Sequence, residues 1–238
     1  MQRIEETTFV CIDCEATGLN LEQDRIIEIA LAVFKNGQIE EEYTTLLDPG
    51  CPIPSASEKI HLIRNEMVKG QPIFLEVAPQ IFSLLERGAV VGHSISFDLE
   101  LIRKEAERSG LDWQGTPLLI DTLRLARSYG KCPLLSLDAL CQHFGIPLEC
   151  HHRAMSDVRS TISLFQRLVQ GFTYLETVQT LLDKPIEMKF MPLGEYRGFA
   201  IRQLPLSYLK WATKKKFDLD LHYSLSKELQ RRRNDVRN

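Results

Sequence analysis

The first fifty residues show three short apolar or alternating runs separated by turn signals. Two of them, at 8–15 and 26–34, are rich in apolar and β-branched residues. Asn36-Gly37 separates the second run from QIEEEYTTLL, and Asn-Gly between such runs is the strongest short-range signal of a β-hairpin. The prolines of DPGCPIP exclude a central strand just after them. We therefore predict three strands that form an antiparallel meander.

The pattern changes after residue 55 to strands that alternate with helices. Ser55 and Glu58 have the spacing of a capping box, and FLEVAPQIFSLLERG is predicted to be a helix that ends at Gly88. The runs AVVGHS and PLLIDT are predicted strands, each followed by an amphipathic segment, and two more helices follow in SLDALCQHFG and HRAMSDVRSTISLFQRLVQG. Strands connected by helices pair in parallel. The prediction is an α/β domain whose mixed sheet combines the meander with parallel strands.

Charge divides the chain into two parts. Residues 1–183 contain 16 Lys and Arg against 26 Asp and Glu, a net of −10, whereas residues 184–238 contain 13 against 6, a net of +7. We predict a main domain over 1–183 and a small basic module over 184–238, which docks on the main domain because about 50 residues is near the lower limit for independent stability. A basic segment on an acidic body suits a polyanionic partner, and a solvated basic helix is the alternative.

Hydropathy and cysteine spacing indicate the cellular compartment. The N-terminal stretch MQRIEETT has no apolar segment after its charges, and no run approaches the roughly 18 uninterrupted apolar residues of a membrane span. The 6 cysteines stand at irregular spacings, unlike the dense framework of a small secreted domain. These features predict a cytoplasmic protein with reduced thiols and no membrane partner.

Two metal motifs overlap in CIDCEATG. Cys11 and Cys14 have the spacing of a zinc or redox pair, while Asp13 and Glu15 have the spacing of a carboxylate pair. Successive side chains of a strand point to opposite faces, so residues 11, 13 and 15 share a face that Cys14 does not. A zinc site would also need a second ligand pair, which the sequence lacks. We therefore interpret the cysteines as core residues and the carboxylates as ligands for a hard cation such as magnesium.

Further candidates lie far along the chain. Asp98 follows the predicted strand AVVGHS at a helix start, and Asp157 lies in the first turns of a later helix. Acids at such positions often only compensate the helix dipole, which is the alternative for both. His152, five residues before Asp157, has an unperturbed pKa of about 6.5, suited to a general base near neutrality. The neighbouring His151 is a competitor for that role.

Three sequence blocks resemble a known enzyme group in order and spacing. They are DCEATG at 13–18, HSISFD at 93–98 and HRAMSD at 152–157. These blocks are similar to the three motifs of the DEDDh group of 3′→5′ exonucleases, the type of the DNA polymerase III epsilon subunit, which has an RNase H-like fold. The similarity extends over roughly residues 7–170. Relatives that use a tyrosine four residues before the last aspartate are excluded, because that position is Arg153 here.

The resemblance implies a site and a reaction. Two magnesium or manganese ions would be held by four carboxylates: Asp13, Glu15, Asp98 and Asp157. His152 would deprotonate the attacking water. The terminal nucleotide would be contacted by four residues: Thr17, Gly18, Leu19 and Phe97. For Phe97 a core role is the alternative. The product would be a nucleoside 5′-monophosphate released from the 3′ end of a single-stranded or frayed nucleic acid, with DNA favoured over RNA.

The functional expectation is a metal-dependent 3′→5′ exonuclease in polymerase proofreading or DNA repair, and a DNA polymerase is a further candidate partner. The alternatives are an RNA-trimming exoribonuclease of the same group and a catalytically idle nucleic-acid-binding subunit. The module after residue 183 resembles one found behind exonuclease X-like enzymes. Its aromatic and basic residues would either bind a single strand or form a small core with solvated lysines: Tyr196, Arg197, Tyr208, Trp211 and Lys214-Lys215-Lys216.

Overall fold

The computed structural model describes residues 1–113, 115, 118–148 and 153–235. Its five strands are β1 (Thr8–Ala16), β2 (Ile26–Lys35), β3 (Gln38–Leu46), β4 (Ala89–Gly92) and β5 (Leu119–Asp121). The helices of the first half are α1 (Ser55–His61), α2 (Asn65–Val68), α3 (Phe74–Leu85), α4 (Ser96–Arg108) and α5 (Thr122–Tyr129). Those of the second half are α6 (Leu137–Phe144), α7 (Ala154–Val169), α8 (Leu175–Leu182), α9 (Leu206–Ala212) and α10 (Leu219–Asp235).

The strands form one mixed sheet in the order β3-β2-β1-β4-β5. β1, β2 and β3 pair antiparallel, and β1-β4 and β4-β5 pair parallel. The β2-β3 turn is the predicted Asn36-Gly37 hairpin, with φ of 47° and 73°. Two successive positive φ angles suit the twist of a two-residue hairpin, and Asn and Gly adopt them most readily. The predicted fold class, a mixed sheet flanked by helices, is confirmed.

Helices cover both faces of the sheet. On one face α3 and α4 pack on residues such as Val10, Ile12 and Ile29, and on the other face α7 and α8 pack on Phe9, Cys11 and other residues. Alternate residues of β1 thus belong to different cores, as the period of a strand requires. β1 lies in the middle of the sheet, so its carboxyl end is flanked by the helices of both layers.

Two local predictions were wrong. Ser55 is not an N-cap: the helix already includes it, the cap position is Pro54 and no side chain caps α1. The fixed φ of proline suits the extended conformation of an N-cap residue, so Pro54 takes the cap position and Ser55 becomes the first residue of the helix. α3 ends at Leu85 rather than at Gly88. Gly88 is required for another reason, because a Cβ there would lie 2.2 Å from the carbonyl oxygen of Thr8.

The C-terminal segment has a small core of its own, formed by Met188, Met191, Leu209, Leu221 and other residues. The sequence did not predict α9. α10 contributes Leu221, Leu225 and Leu229 to this core.

Arginines of α5 hold the C-terminal segment against the main domain. Arg124 donates to both carboxylate oxygens of Asp220 at 2.9 Å, and Arg127 donates to Asp218 and Asp220 at 2.8 Å. The Asp220 carboxylate is almost completely buried. A boundary at residue 183 stays a prediction. Within the described residues, no helix is long and apolar enough to cross a membrane.

Candidate metal and active site

Strand β1 separates the overlapping cysteine and carboxylate motifs as its alternation predicts. Cys11 is buried in the core beneath α7, whereas Cys14 packs against the core on the opposite face. Both are free thiols, and the two side chains cannot converge on one ion. Asp13 and Glu15 lie at the carboxyl end of β1, opposite Ala30 and Glu28 of β2.

Helix α7 brings a third carboxylate to this end of the strand. Asp157 lies in the first turn of α7, which packs across β1 and β2. Each of Asp13, Glu15 and Asp157 offers a carboxylate oxygen, and these oxygens lie within 4.8 Å of one another. The structure therefore brings together three of the four predicted ligands, from segments more than 140 positions apart.

The fourth predicted ligand, Asp98, lies next to this group. It is 6% exposed in the first turn of α4, and its Oδ1 accepts a hydrogen bond from the backbone N–H of Cys14 at 3.0 Å. That bond ties the first turn of α4 to the strand residue between Asp13 and Glu15. Within the described residues, Asp98 is not one of the carboxylates whose oxygens lie within 4.8 Å of one another.

Burial raises the pKa of three carboxyl groups here, those of Asp13, Glu15 and Asp98. For Asp13, burial and then the charges of Asp98, Asp157 and Glu15 raise the pKa well above its usual value. Burial, Asp157 and other nearby acids raise the pKa of Glu15 to about 8, and burial raises that of Asp98 to about 7. A cation among these oxygens would remove the repulsion, and hard divalent ions prefer such ligands. The acidic cluster is thus suited to a divalent metal.

A glutamate that sequence reasoning missed anchors the start of α7. Glu28 is buried on β2, and both its oxygens accept hydrogen bonds from Arg153 at 2.7 to 3.2 Å. It also accepts the backbone N–H of Ala154 at 3.0 Å. The predicted base His152 lies outside the described residues, immediately before this anchored arginine. The motif IIEIA carried the signal, because Glu28 is the single charge in a run of buried β-strand residues.

The loop after β1 is organised by Asp24. Thr17, predicted to contact substrate, is 3% exposed and donates its hydroxyl to Asp24 at 2.8 Å. A Cβ on Gly18 would lie 2.5 Å from the same carboxylate, so glycine is required here by the loop itself. Leu19, in contrast, is 84% exposed at the tip of the loop. Of these three residues, Leu19 alone has an exposed side chain.

A second polar network holds the loop before α4. Ser94 has a φ of 63°, and its N–H donates to Asp121 at 3.0 Å; Asp121 also caps α5 through the N–H of Leu123. His93 donates through Nε2 to the carbonyl oxygen of Leu135 at 2.9 Å. Asp121 was not predicted to bind metal, and its contacts position the loop that carries Asp98. Phe97, in the first turn of α4, is half-buried against the core, which fits its alternative core role.

The comparisons with known proteins identify the family. A sequence profile described as "Exonuclease" matches residues 10–165, which is more than half of the chain. A second profile, described as "Putative quorum-sensing-regulated virulence factor", matches residues 179–220. The fold and the acidic site thus define a nuclease of the RNase H-like class. The chain belongs to the exonuclease family, and the resemblance drawn from the three sequence blocks is confirmed.

Curated relatives are replicative proteins. The chain is 37% identical over 185 residues to the PolC-type DNA polymerase III of Thermotoga petrophila, a match that covers 75% of this chain and 13% of that one. It is 33% identical over 165 residues to the DNA polymerase III epsilon subunit of Aquifex aeolicus, covering 68% of this chain and 81% of that one. The chain thus spans about one eighth of the length of the PolC relatives that it matches.

Solved structures share the fold. E. coli exonuclease I in complex with a dT13 oligonucleotide superposes with a TM-score of 0.63 at 21% identity, covering 69% of this chain and 41% of that one. Exonuclease X in complex with 5′ overhanging duplex DNA gives 0.58 at 26% identity, covering 73% and 99%.

Proposed function

We propose that the protein is a metal-dependent 3′→5′ exonuclease that releases nucleoside 5′-monophosphates from the 3′ end of DNA. The cluster of Asp13, Glu15 and Asp157, with Asp98 beside it, carries this proposal. Four clustered acids, of which Asp98 is buried and the others are partly buried, would repel a phosphate, so the site becomes compatible with a polyanion only when cations occupy it. Membership of the exonuclease family supports the same reaction.

The proposed ions are two Mg²⁺ or Mn²⁺, held by these four carboxylates. When bound, such ions would activate water and neutralise charge on the phosphate and the leaving oxygen. The protein's own contribution is positioning: Cys14 N–H orients Asp98, and the Glu28–Arg153 pair anchors α7, which carries Asp157. His152 is the proposed acceptor of the water proton.

The substrate end is proposed to lie over the β1 loop. Leu19 projects from the loop that follows Glu15 and would contact the terminal base, while Thr17 and Gly18 hold the loop in shape. Phe97, half-buried in the first turn of α4, would contribute packing at the edge of the site. A strand that is single or frayed at its 3′ end fits such a site, since the last nucleotide must leave its partner.

Labelled oligonucleotides test the proposal. The protein is incubated with 5′-labelled single-stranded DNA, with RNA of the same sequence, and with magnesium or EDTA. We expect stepwise shortening from the 3′ end of DNA that stops in EDTA. Faster degradation of RNA would favour the exoribonuclease alternative, and no shortening of either would contradict the nuclease proposal.

A proofreading role is proposed from the names of the relatives, which are DNA polymerase III proteins. Its test compares primer–template duplexes that differ only in a matched or mismatched 3′-terminal pair. We expect the mismatched end to be removed faster, because it frays at lower free-energy cost. Equal rates on both ends would contradict a proofreading role while leaving the nuclease proposal intact.

A further inference from the structure

The C-terminal segment carries a row of four aromatic rings on its surface. Phe199 lies 5.9 Å from Tyr196, Tyr196 lies 4.5 Å from Tyr208, and Tyr208 lies 5.3 Å from Trp211, measured between ring centroids. We call these four residues the aromatic row. Its two ends are exposed, Phe199 by 56% and Trp211 by 51%.

The inner and outer rings have different roles. Tyr196 and Tyr208 are half-buried and pack against the core of the C-terminal segment. They support the two outer rings, each of which is about half exposed to solvent. The sequence left a nucleic-acid surface and a small core as alternatives for these aromatics, and the structure divides them. The exposed parts of the two outer rings do not pack in the core of the C-terminal segment, so they are available for binding.

One lysine lies over a ring of the row, and other basic residues are near it in sequence. Lys215 Nζ lies 5.1 Å from the centroid of the Trp211 ring. Four other basic residues within about fifteen positions are exposed: Arg197, Lys210, Lys214 and Lys216. A lysine over an indole combines cation–π attraction with a charge that can contact a phosphate.

The acids of the segment are mostly engaged elsewhere. Asp218 and Asp220 pair with the arginines of α5, and Glu187 pairs with Lys227. Glu228 pairs with two arginines of α10. Glu195 alone among these acids lies near the row, where burial and then its charge raise the pKa of Tyr208. Residues 184–238 carry a net charge of +7, and most of their acids are paired away from the row.

The loop before α6 contacts both the loop that carries His93 and the C-terminal segment. His93, which begins the motif that ends in Asp98, donates to the carbonyl oxygen of Leu135. Leu135 packs on the core of the C-terminal segment. Its neighbour Leu134 is exposed and lies 4.0 Å from where a Cβ of Gly198 would be, next to Phe199. Residues 134 and 135 thus lie beside Gly198, which precedes Phe199, and contact His93.

We propose that the aromatic row binds a single-stranded stretch of the DNA strand whose 3′ end lies in the acidic site. Bases would stack on Phe199 and Trp211, and Lys215 with its basic neighbours would contact phosphates. Stacking of this kind tolerates any sequence, which suits an enzyme that removes every nucleotide in turn. The assignment of the bound strand as substrate rests on the proposed exonuclease function; the binding itself does not.

Equilibrium binding without metal tests the row. Fluorescein-labelled dT20 is titrated with the full-length chain in EDTA and followed by anisotropy. Loss of one stacking ring costs about 1–3 kcal/mol, so Trp211→Ala and Phe199→Ala should each weaken binding at least about fivefold. Trp211→Phe should restore most of the affinity, which separates stacking from a folding defect.

The chain offers a matched control on α10. Lys227 Nζ lies 5.7 Å from the ring of the exposed Tyr223, but Glu187 neutralises that lysine. Tyr223→Ala should therefore leave the affinity for dT20 unchanged. Lys215→Gln should reduce the slope of log affinity against log salt by about 0.7, the value for one single-strand phosphate contact. Glu195→Gln should tighten binding.

Three outcomes would overturn the proposal. They are unchanged affinity in both ring variants, equal loss in Tyr223→Ala, and tighter binding of a 20-base-pair duplex than of dT20. Preference for an acidic polypeptide over dT20 would indicate a protein partner instead. Binding in EDTA is measured without cleavage, so it is independent of the nuclease assay. If the protein is an active exonuclease but its affinity for dT20 does not change in the ring variants, only the proposal for the aromatic row is contradicted. Row-dependent binding without nuclease activity contradicts the proposed function alone.

Discussion

The acidic end of β1 and the docking surface of the C-terminal segment both bury aspartates, with opposite electrostatic results. At β1, Asp13 faces other carboxylates, and burial together with their charges raises its pKa. Beneath the C-terminal segment, burial also acts to raise the pKa of Asp220, but hydrogen bonds from Arg124, Arg127 and Ile186 outweigh it and the pKa is lowered. Burial acts to raise the pKa at both sites, so the charges of the neighbouring side chains decide the direction of the pKa shift.

This contrast separates a binding site from a structural contact. Acids paired with arginine stabilise the fold in their ionised form, and they need no further ligand. Acids grouped with acids store repulsion that only protons or cations can relieve. Glu28 belongs to the first kind although it lies opposite Glu15, because Arg153 neutralises it.

Removing one acid from each group gives the largest effects. Asp13→Asn should reduce exonuclease activity by about a thousandfold, since the loss of one ligand forfeits several kcal/mol of metal-assisted stabilisation. The same change should raise the melting temperature of the metal-free protein, because it removes a buried charge and its repulsion. Activity on labelled DNA and thermal melts in EDTA measure the two effects. A variant that is both inactive and less stable would contradict the repulsion argument.

Asp220→Asn should act in the opposite direction on stability. Breaking a buried ion pair costs about 3–5 kcal/mol, so the free energy of unfolding should fall by that order in urea titrations. Asp218→Asn is the matched control: its partner Arg127 is 9% exposed but the Asp218 side chain is 46% exposed, so solvent screens the pair and it should contribute no more than about 1 kcal/mol. Equal losses in the two variants would show that burial of Asp220 is not decisive.

Metal should stabilise the protein more at high pH than at low pH. The pKa of Glu15 is raised to about 8 in the fold, so the metal-free protein loses stability as pH rises from about 4.5 through 8. Magnesium at a hundredfold excess over its dissociation constant adds about 2.7 kcal/mol, or roughly 5–10 °C. Melts in magnesium and EDTA at pH 5 and pH 8 measure this. The shift should be larger at pH 8 and absent in Asp13→Asn; an equal shift in that variant would place the ion elsewhere.

The Glu28–Arg153 pair should have the smallest effect, of about tenfold. Glu28→Gln keeps the shape of the side chain but loosens the anchor of α7, and changes in residues that orient ligands typically cost 10- to 100-fold. We expect a lower kcat and a displaced pH profile with little change in KM. Glu42→Gln is a matched control, because Glu42 accepts two hydrogen bonds from Arg159 of the same helix at an exposed position. If both variants behave alike, Glu28 has no positioning role.

Much of this architecture was predictable from local patterns. Alternation along CIDCEATG assigned Cys11 and Cys14 to packing and Asp13 and Glu15 to a common edge, and Asn36-Gly37 marked the hairpin. The resemblance of the three motifs to those of the DEDDh exonucleases identified Asp98 and Asp157 as candidate metal ligands. The Pro54 cap and the end of α3 were missed, because each depends on competition between neighbouring signals rather than on one pattern.

The sequence by itself determined the strand order of the meander, the ligand types and the family. Tertiary structure alone decided that Asp157 meets Asp13, that Glu28 anchors Arg153, and that two of the four rings of the aromatic row remain exposed. The physical reason is range. Backbone periodicity and turn preferences act over a few residues, whereas the charge around a carboxylate or the exposure of a ring depends on residues brought together from distant parts of the chain.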